Sequence, residues 1–337
     1  MTVNRAAGKY GNALVGIYDA SNNLLWSYHI WAPEDNPTTY DYTATSSGNT
    51  YKVLNMPIGA IKYATISSSN ADKIKALPLL YQYGRKDPLG RWNGTGSGGT
   101  NIVTVYDKFG NTMNLTDAAY IEDAVDISNT FDYTATPAGM SMVAYHMIKY
   151  TISHPTIFLV NNSSATGYPT WTNEEVLRGF WGTESIVAGI FEKSIFDPSP
   201  EGYCLPSSKL WYNFTSGHYN ATVYYNDIHE INAVGNESFN WTSTNNTANG
   251  GYAFYYQGLG SGPSHFYVNG MYREWSAGTL SNAARTTSGI SAGIYWTNWP
   301  VFPDGYTRAL SFGPEKVCTE ELQPSAIGAG VICVRYK

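Results

Sequence analysis

At 337 residues, with 20 basic against 26 acidic side chains, the chain has a net charge of −6 and no Lys/Arg block able to neutralise a run of phosphates, which excludes nucleic acid as its partner. A hydrophobic fraction of 43%, with 15% aromatic, excludes wholesale disorder, while charged residues at 14% fall well below the ~25% usual for soluble domains. Tyrosine (28), glycine (33) and abundant Asn, Ser and Thr take the place of Lys and Glu, a balance familiar from extracellular β-rich binding proteins.

No apolar run approaches the ~20 residues that a membrane span needs, so no membrane insertion is expected. Residues 1–10 lack the apolar segment of a secretory signal, and the expectation is a surface-displayed chain whose export signal is not part of this sequence. Cys204, Cys318 and Cys333 can form one bridge at most, and their spacing fits no zinc pattern. The length admits one domain with a large insertion or two compact domains.

Taken in order, residues 13–18 and 24–31 are two apolar runs around the polar turn Asp19-Ala20-Ser21-Asn22-Asn23, which predicts a hairpin. Trp26, Tyr28 and Ile30 alternate with Ser27 and His29, so one face is buried and His29 is read as a hydrogen-bonded strand histidine. Residues 51–60 predict a strand ending in a turn, and 72–83 a weak helix broken by Pro78. Gly94-Thr95-Gly96-Ser97-Gly98-Gly99 lacks the Gly-Lys-Ser/Thr ending of a phosphate loop and is read as a plain loop.

Residues 101–107 and 109–115 predict a second hairpin, 141–153 a strand or short helix, and 157–160 a strand. Thr172 can cap a short helix over 172–181, in which Glu174 and Glu175 point apart and form a solvated first turn. Residues 208–214 predict a short helical or turn element, and Gly330-Val331-Ile332-Cys333-Val334-Arg335-Tyr336 a terminal apolar strand. Between residues 250 and 312, aromatics recur at short spacing among glycines, which predicts short strands and tight turns. Residues 13–18 and 331–335 are isolated apolar strands near the two ends, each needing a partner, and are expected to pair antiparallel.

Five ordered segments carry a family resemblance: Leu25-Trp26-Ser27-Tyr28-His29-Ile30-Trp31, Tyr81-Gln82-Tyr83-Gly84-Arg85-Lys86-Asp87-Pro88, Asp197-Pro198-Ser199-Pro200-Glu201-Gly202-Tyr203, Tyr295-Trp296-Thr297-Asn298 and Val331-Ile332-Cys333-Val334-Arg335. Together they resemble the C-type-lectin-like surface domains of Bacteroidetes, found at the ends of fimbrillin-type pilus adhesins and, in related proteins, diversified by retroelements. The resemblance implies an α+β fold of small antiparallel sheets with paired terminal strands, two short helices and long irregular loops. It implies a single domain over 1–337 with an insertion at about 89–137 and a variable, ligand-binding part at about 250–312. Where calcium-dependent lectins carry their carboxylate motif, this chain has Trp296-Thr297-Asn298-Trp299, so neither a calcium ion nor any other cofactor is expected.

The contact residues expected on the loop face are Asn269, Tyr272, Trp275, Tyr295, Asn298, Trp299, Phe302, Asp304, Tyr306 and Arg308. Trp296 is read as the inward residue of its strand, which would turn Tyr295 outward and leave Asn298, Trp299 and Tyr306 exposed. A core position for Tyr272 and a structural hydrogen-bonding role for Arg273 are the competing reading. The expected function is a non-enzymatic adhesin that recognises a host or bacterial surface protein or glycan, with other pilin subunits as further partners. The alternatives are a formylglycine-generating-type oxidase, whose paired cysteines Cys318 and Cys333 are too far apart to match, and a structural pilin or phage-fibre subunit.

Overall fold

The segment Tyr81-Gln82-Tyr83-Gly84-Arg85 is buried, so its backbone polar groups must find partners away from water. The computed structural model describes residues 4–43, 50–90, 105–107, 109–113, 120–131, 142–161, 170–172, 179–185, 190–215, 233–235, 251–262, 264–268, 272–274, 276, 278, 280–281, 293–301, 305–312 and 317–335. Three tryptophans from distant parts of the chain satisfy alternate carbonyls of the segment. Trp296 Nε1 donates to Tyr81 O at 2.7 Å, Trp171 Nε1 to Tyr83 O at 2.7 Å and Trp181 Nε1 to Arg85 O at 3.2 Å. Residues 83–84 form a turn, with Gly84 at φ 89° and Arg85 N donating to Gln82 O at 3.0 Å, and this bend presents the three carbonyls to indoles from different parts of the chain.

The side chains of the same segment tie in the rest of the core. Gln82 Nε2 donates to Leu159 O and Ala326 O, both at 2.8 Å, while Gln82 Oε1 accepts from Leu159 N at 3.1 Å. Arg85 donates to Gln82 Oε1, to the carbonyls of His154 and Pro155 at 3.2 and 3.1 Å, and to that of Ile157. The bonds from Gln82 and Arg85 to other segments close chain separations of 69 to 244 residues, so the motif ties distant parts of the fold together. The rings of Tyr83, Trp181 and Trp296 meet at 4.6 and 5.7 Å in tilted and edge-on geometry, where aromatic pairs are favourable.

Strands make up 41% and helices 14% of the described residues, and this β-rich, many-sheeted arrangement overturns the α+β C-type-lectin-like expectation. The largest sheet runs in the order Leu280–Ser281, Tyr272–Arg273, Gly328–Val331, Gly293–Val301, Tyr306–Phe312, Val317–Pro324, with Tyr81–Gln82 also on Gly328–Val331. A four-stranded sheet orders Tyr203–Cys204, Val334–Arg335, Thr50–Leu54 and Thr39–Thr43, and a three-stranded one Ala233–Gly235, Gly251–Tyr255 and Ser264–Val268. Short aromatic and β-branched runs between glycines favour strand over helix at each of these places.

Both faces of the largest sheet are covered. Ile294, Trp296 and Ala309 join the cluster around Tyr81, Trp171 and Trp181, whereas Tyr295, Leu310 and Phe312 join the one around Trp211, Phe214 and Phe254. Gly293 permits this closeness, because a Cβ there would lie 2.2 Å from the Phe312 ring.

The ends of the chain do not pair as expected. Among the described residues Gly11–Tyr18 pairs as a strand with Leu24–Ala32 alone, whereas Val334–Arg335 pairs with Thr50–Leu54 and Tyr203–Cys204. The hairpin partner lies across the single turn at residues 19–23, so this pairing closes a short loop at little entropic cost, whereas pairing with the far end of the chain would close a very long one. The expected terminal strand is itself divided: Gly328–Val331 lies in the largest sheet and Val334–Arg335 in the four-stranded one.

Helices form where capping permits. Asn70–Lys75 is capped by Ser69, whose side chain accepts from Asp72 N, and Ala124–Ser128 by Asp123. The helix Met142–Ser153 resolves the strand-or-helix ambiguity of that stretch. Within the expected insertion at 89–137, Ile121–Asp123 pairs parallel with Phe158–Val160, and Tyr106 bridges Thr112 where the second hairpin was expected. The Gly/Ser loop at 94–99 and most of the helix expected over 172–181 lie outside the described residues.

Candidate functional site

Strand Gly293–Val301 pairs with Tyr306–Phe312 in regular register from Gly293 to Trp296, opposite Ala309. The register then jumps, and Pro300 lies opposite Thr307, so Thr297, Asn298 and Trp299 occupy the space across from Arg308 alone. Pairing resumes at Pro300, so the irregularity lies immediately before a proline, a residue that strands accommodate beside bulges. Bulges bend the strand and re-aim its side chains. Here the displaced backbone is held by two bonds: Asn298 N donates to Pro206 O at 2.9 Å and Thr297 Oγ1 to Arg308 O at 2.6 Å.

The carbonyl that receives Asn298 lies at the start of a 3-10 helix, Ser208–Phe214, capped by Ser207, whose side chain accepts from Lys209 N at 3.3 Å. In a 3-10 helix residues three apart eclipse one another. Trp211 and Phe214 therefore enter the core together, and Lys209 and Tyr212 turn together toward the bulge.

The result is a half-buried Trp299 ring with two cations against it, Lys209 Nζ at 5.5 Å and Arg308 Cζ at 5.6 Å from its centroid. Such contacts contribute about 0.5–1 kcal/mol each at a partly exposed ring. Glu320 lies beneath them with its side chain 5% exposed. It accepts from Ser208 Oγ at 2.9 Å and from the Tyr212 hydroxyl, and its Oε2 is 3.1 Å from Arg308 Nη1, an ion-pair separation whose angle falls outside hydrogen-bond geometry. Burial and the neighbouring Glu320 carboxylate push the Tyr212 phenol well above its ordinary range, so it remains a donor. This arrangement can hold a ligand by ring contact and by hydrogen bonds from fixed cations.

Of the ten contact residues expected from sequence, the fold gathers Asn298, Trp299 and Arg308 in this patch, with half-buried Tyr306 two residues from Arg308 on the same strand face. Two others belong to the interior. Tyr295 is fully buried, donates to Val268 O at 2.9 Å and stacks on Phe312 at 5.9 Å, which corrects the expectation that it faces outward. Alternation does oppose it to Trp296, but both faces of this sheet are covered, so pointing away from one core means pointing into the other. Tyr272 is also buried and donates to Glu274 Oε1 at 2.7 Å, and buried Arg273 donates to Gly278 O and Gly90 O, as the competing reading held. Asn269, Trp275, Phe302 and Asp304 lie outside the described residues.

Sequence reasoning missed Lys209, Tyr212 and Glu320, which lie about 90 and 20 residues away from Trp299 in opposite directions. The one usable signal was Pro300 inside an aromatic strand, since strands accommodate a proline beside bulges. Among the described residues, no group of three or more His, Cys, Asp or Glu could hold a metal ion. Comparison with family models, curated proteins and solved structures finds no match for this chain.

Proposed function

We propose that the chain is a non-catalytic recognition module of a cell-surface adhesin, holding a protein or glycan ligand on the patch around Trp299. The observation that carries this reading is the bulge at residues 297–299, which brings Trp299 between Lys209 and Arg308 at the surface of an otherwise closed aromatic core. Trp and Tyr lose little freedom for the contact area they supply, and together with Arg they dominate binding hot spots. The charge-poor, Tyr- and Asn-rich composition agrees with an extracellular setting.

The oxidase alternative would require Cys318 and Cys333 as thiolate ligands. Both thiols are buried, and burial pushes each far above its ordinary value, with Cys333 also donating to Ser199 Oγ at 3.2 Å. Inert, protonated thiols support recognition over catalysis. The test is a screen of the purified chain against a glycan array and a panel of purified surface proteins, repeated with Trp299→Ala. A ligand held by the wild type and weakened roughly 30-fold or more by the substitution, about 2 kcal/mol, is the expected result. A ligand bound equally well by Trp299→Ala, or none in either screen, overturns the proposal.

A further inference from the structure

The N-terminal hairpin forms a two-stranded sheet of its own, and its two faces differ in kind. Register places Asn12, Leu14 and Gly16 with Trp31, His29 and Ser27 on one face, and Ala13, Val15 and Ile17 with Ile30, Tyr28 and Trp26 on the other. The first face is docked by specific bonds. Asn12 Nδ2 donates to Gly59 O at 2.8 Å, Trp31 Nε1 to Ala60 O at 2.7 Å and Ser27 Oγ to Asp87 Oδ1 at 2.8 Å, while His29 Nδ1 is 3.0 Å from the Tyr81 hydroxyl. The second face is apolar throughout, with Ile17 42% and Tyr28 45% exposed.

The two edges also differ. Along Leu24–Ala32, Lys86 Nζ donates to Ser27 O at 2.9 Å and lies 4.4 Å from the Trp26 ring centroid, and Phe196 packs on that ring at 5.9 Å. Gly11–Tyr18 has no strand beyond its hairpin partner among the described residues. An open edge is a template for another strand, and proteins ordinarily block one with Lys, Pro, a charge or shortness. This edge is eight residues long and reads Gly-Asn-Ala-Leu-Val-Gly-Ile-Tyr, with none of those devices, and its one register shift lies at the Ile17–Tyr18 end.

We infer that Gly11–Tyr18 is a self-association edge, whose occupant is the same strand of a second copy of this chain. Three features favour a second copy over an unrelated strand. Antiparallel pairing about a two-fold axis at Val15 opposes Ala13 to Ile17 and Leu14 to Gly16, so every outward-face contact is apolar and the match is self-complementary. The eight residues carry no charge, so this edge adds no local repulsion between two copies that each bear −6. The pairing extends an already ordered hairpin into a four-stranded sheet, and sheets of three or more strands are the ones that hold independently.

The experiment is sedimentation velocity over a concentration series, combined with cysteine scanning. Cys204, Cys318 and Cys333 are buried and do not compete for oxidation in the folded chain. A residue on the axis faces its own copy at roughly 4.5–5.5 Å between Cβ atoms, whereas Ala13 is about 14 Å from its symmetry mate. The expected result is a concentration-dependent dimer in which Val15→Cys gives a symmetric disulfide and Ala13→Cys does not. Val15→Lys should abolish the dimer with the melting temperature and near-UV spectrum kept, while Ile195→Lys, at a site 75% exposed elsewhere, should leave it intact. A monomer at every concentration overturns the inference, as does a dimer that survives Val15→Lys or cross-links equally through Ala13→Cys. None of these readouts depends on the ligand at Trp299, so failure here leaves that proposal standing.

Discussion

Replacing Tyr295 and Trp299 by alanine, one at a time, should separate scaffold from contact surface within a single strand. Tyr295 has no exposed surface, packs between Tyr267 and Phe312 with centroids at 5.4 and 5.9 Å, and donates to Val268 O at 2.9 Å. Removing a buried aromatic ring costs about 3–5 kcal/mol, and losing the hydroxyl that satisfies a buried carbonyl adds about 1 kcal/mol. Tyr295→Ala should therefore remove a large part of the about 5–15 kcal/mol that ordinarily stabilises a folded chain. Tyr295→Phe should lose only about 1 kcal/mol.

Trp299 is half-buried and makes two cation contacts, so Trp299→Ala should cost about 1–2 kcal/mol. Urea unfolding followed by circular dichroism, with coincident fluorescence transitions as the test of two-state behaviour, measures both. A Tyr295→Ala protein within 1 kcal/mol of wild type, or a Trp299→Ala protein destabilised as much as Tyr295→Ala, would refute the division of this strand into interior and contact residues.

Acid should weaken the fold earlier than its carboxylates alone dictate. Burial lowers His265 to about 3 and His29 to about 4, so both stay neutral in the fold while the unfolded chain takes up protons near 6.5. Their contribution is fully present above about pH 6.5 and is lost as pH falls toward 4, by about 3 kcal/mol from His29 alone; a urea midpoint that is flat between pH 7 and 4.5 contradicts this. Glu320→Ala leaves Arg308 without its ion-pair partner and Tyr212 without its acceptor, and should lower stability by about 3 kcal/mol, more than Glu320→Gln, as measured by thermal melting. All three thiols should resist an aromatic disulfide reagent in buffer and react together in urea; one fast-reacting thiol in buffer would show that a cysteine is accessible after all.

Local pattern determined several elements without help from the rest of the chain. The hairpin Gly11–Tyr18/Leu24–Ala32 follows from two apolar runs around Asp19-Ala20-Ser21-Asn22-Asn23, where Asn22 takes the left-handed conformation at φ 63° and Asp19 caps the turn through Ser21 N and Asn23 N. The 3-10 helix Ser208–Phe214 and the burial of Trp296 were legible for the same reason, since capping and alternation act over a few residues. Tertiary structure alone decided the orientation of Tyr295, because a sheet covered on both faces has no outward side and alternation then chooses only between two cores. It alone decided the partners of the terminal strands and the division of residues 328–335 between two sheets.

The role of Tyr81-Gln82-Tyr83-Gly84-Arg85 was likewise hidden, since its meaning lies in three indole donors that come from residues 171, 181 and 296. Trp299 became a site only when the ladder was interrupted at residues 297–299 and the chain packed Lys209 and Glu320 close by. Sequence fixes what each residue can donate, accept or bury, whereas a site assembled from residues 209, 299, 308 and 320 exists only after the backbone has brought those groups within reach.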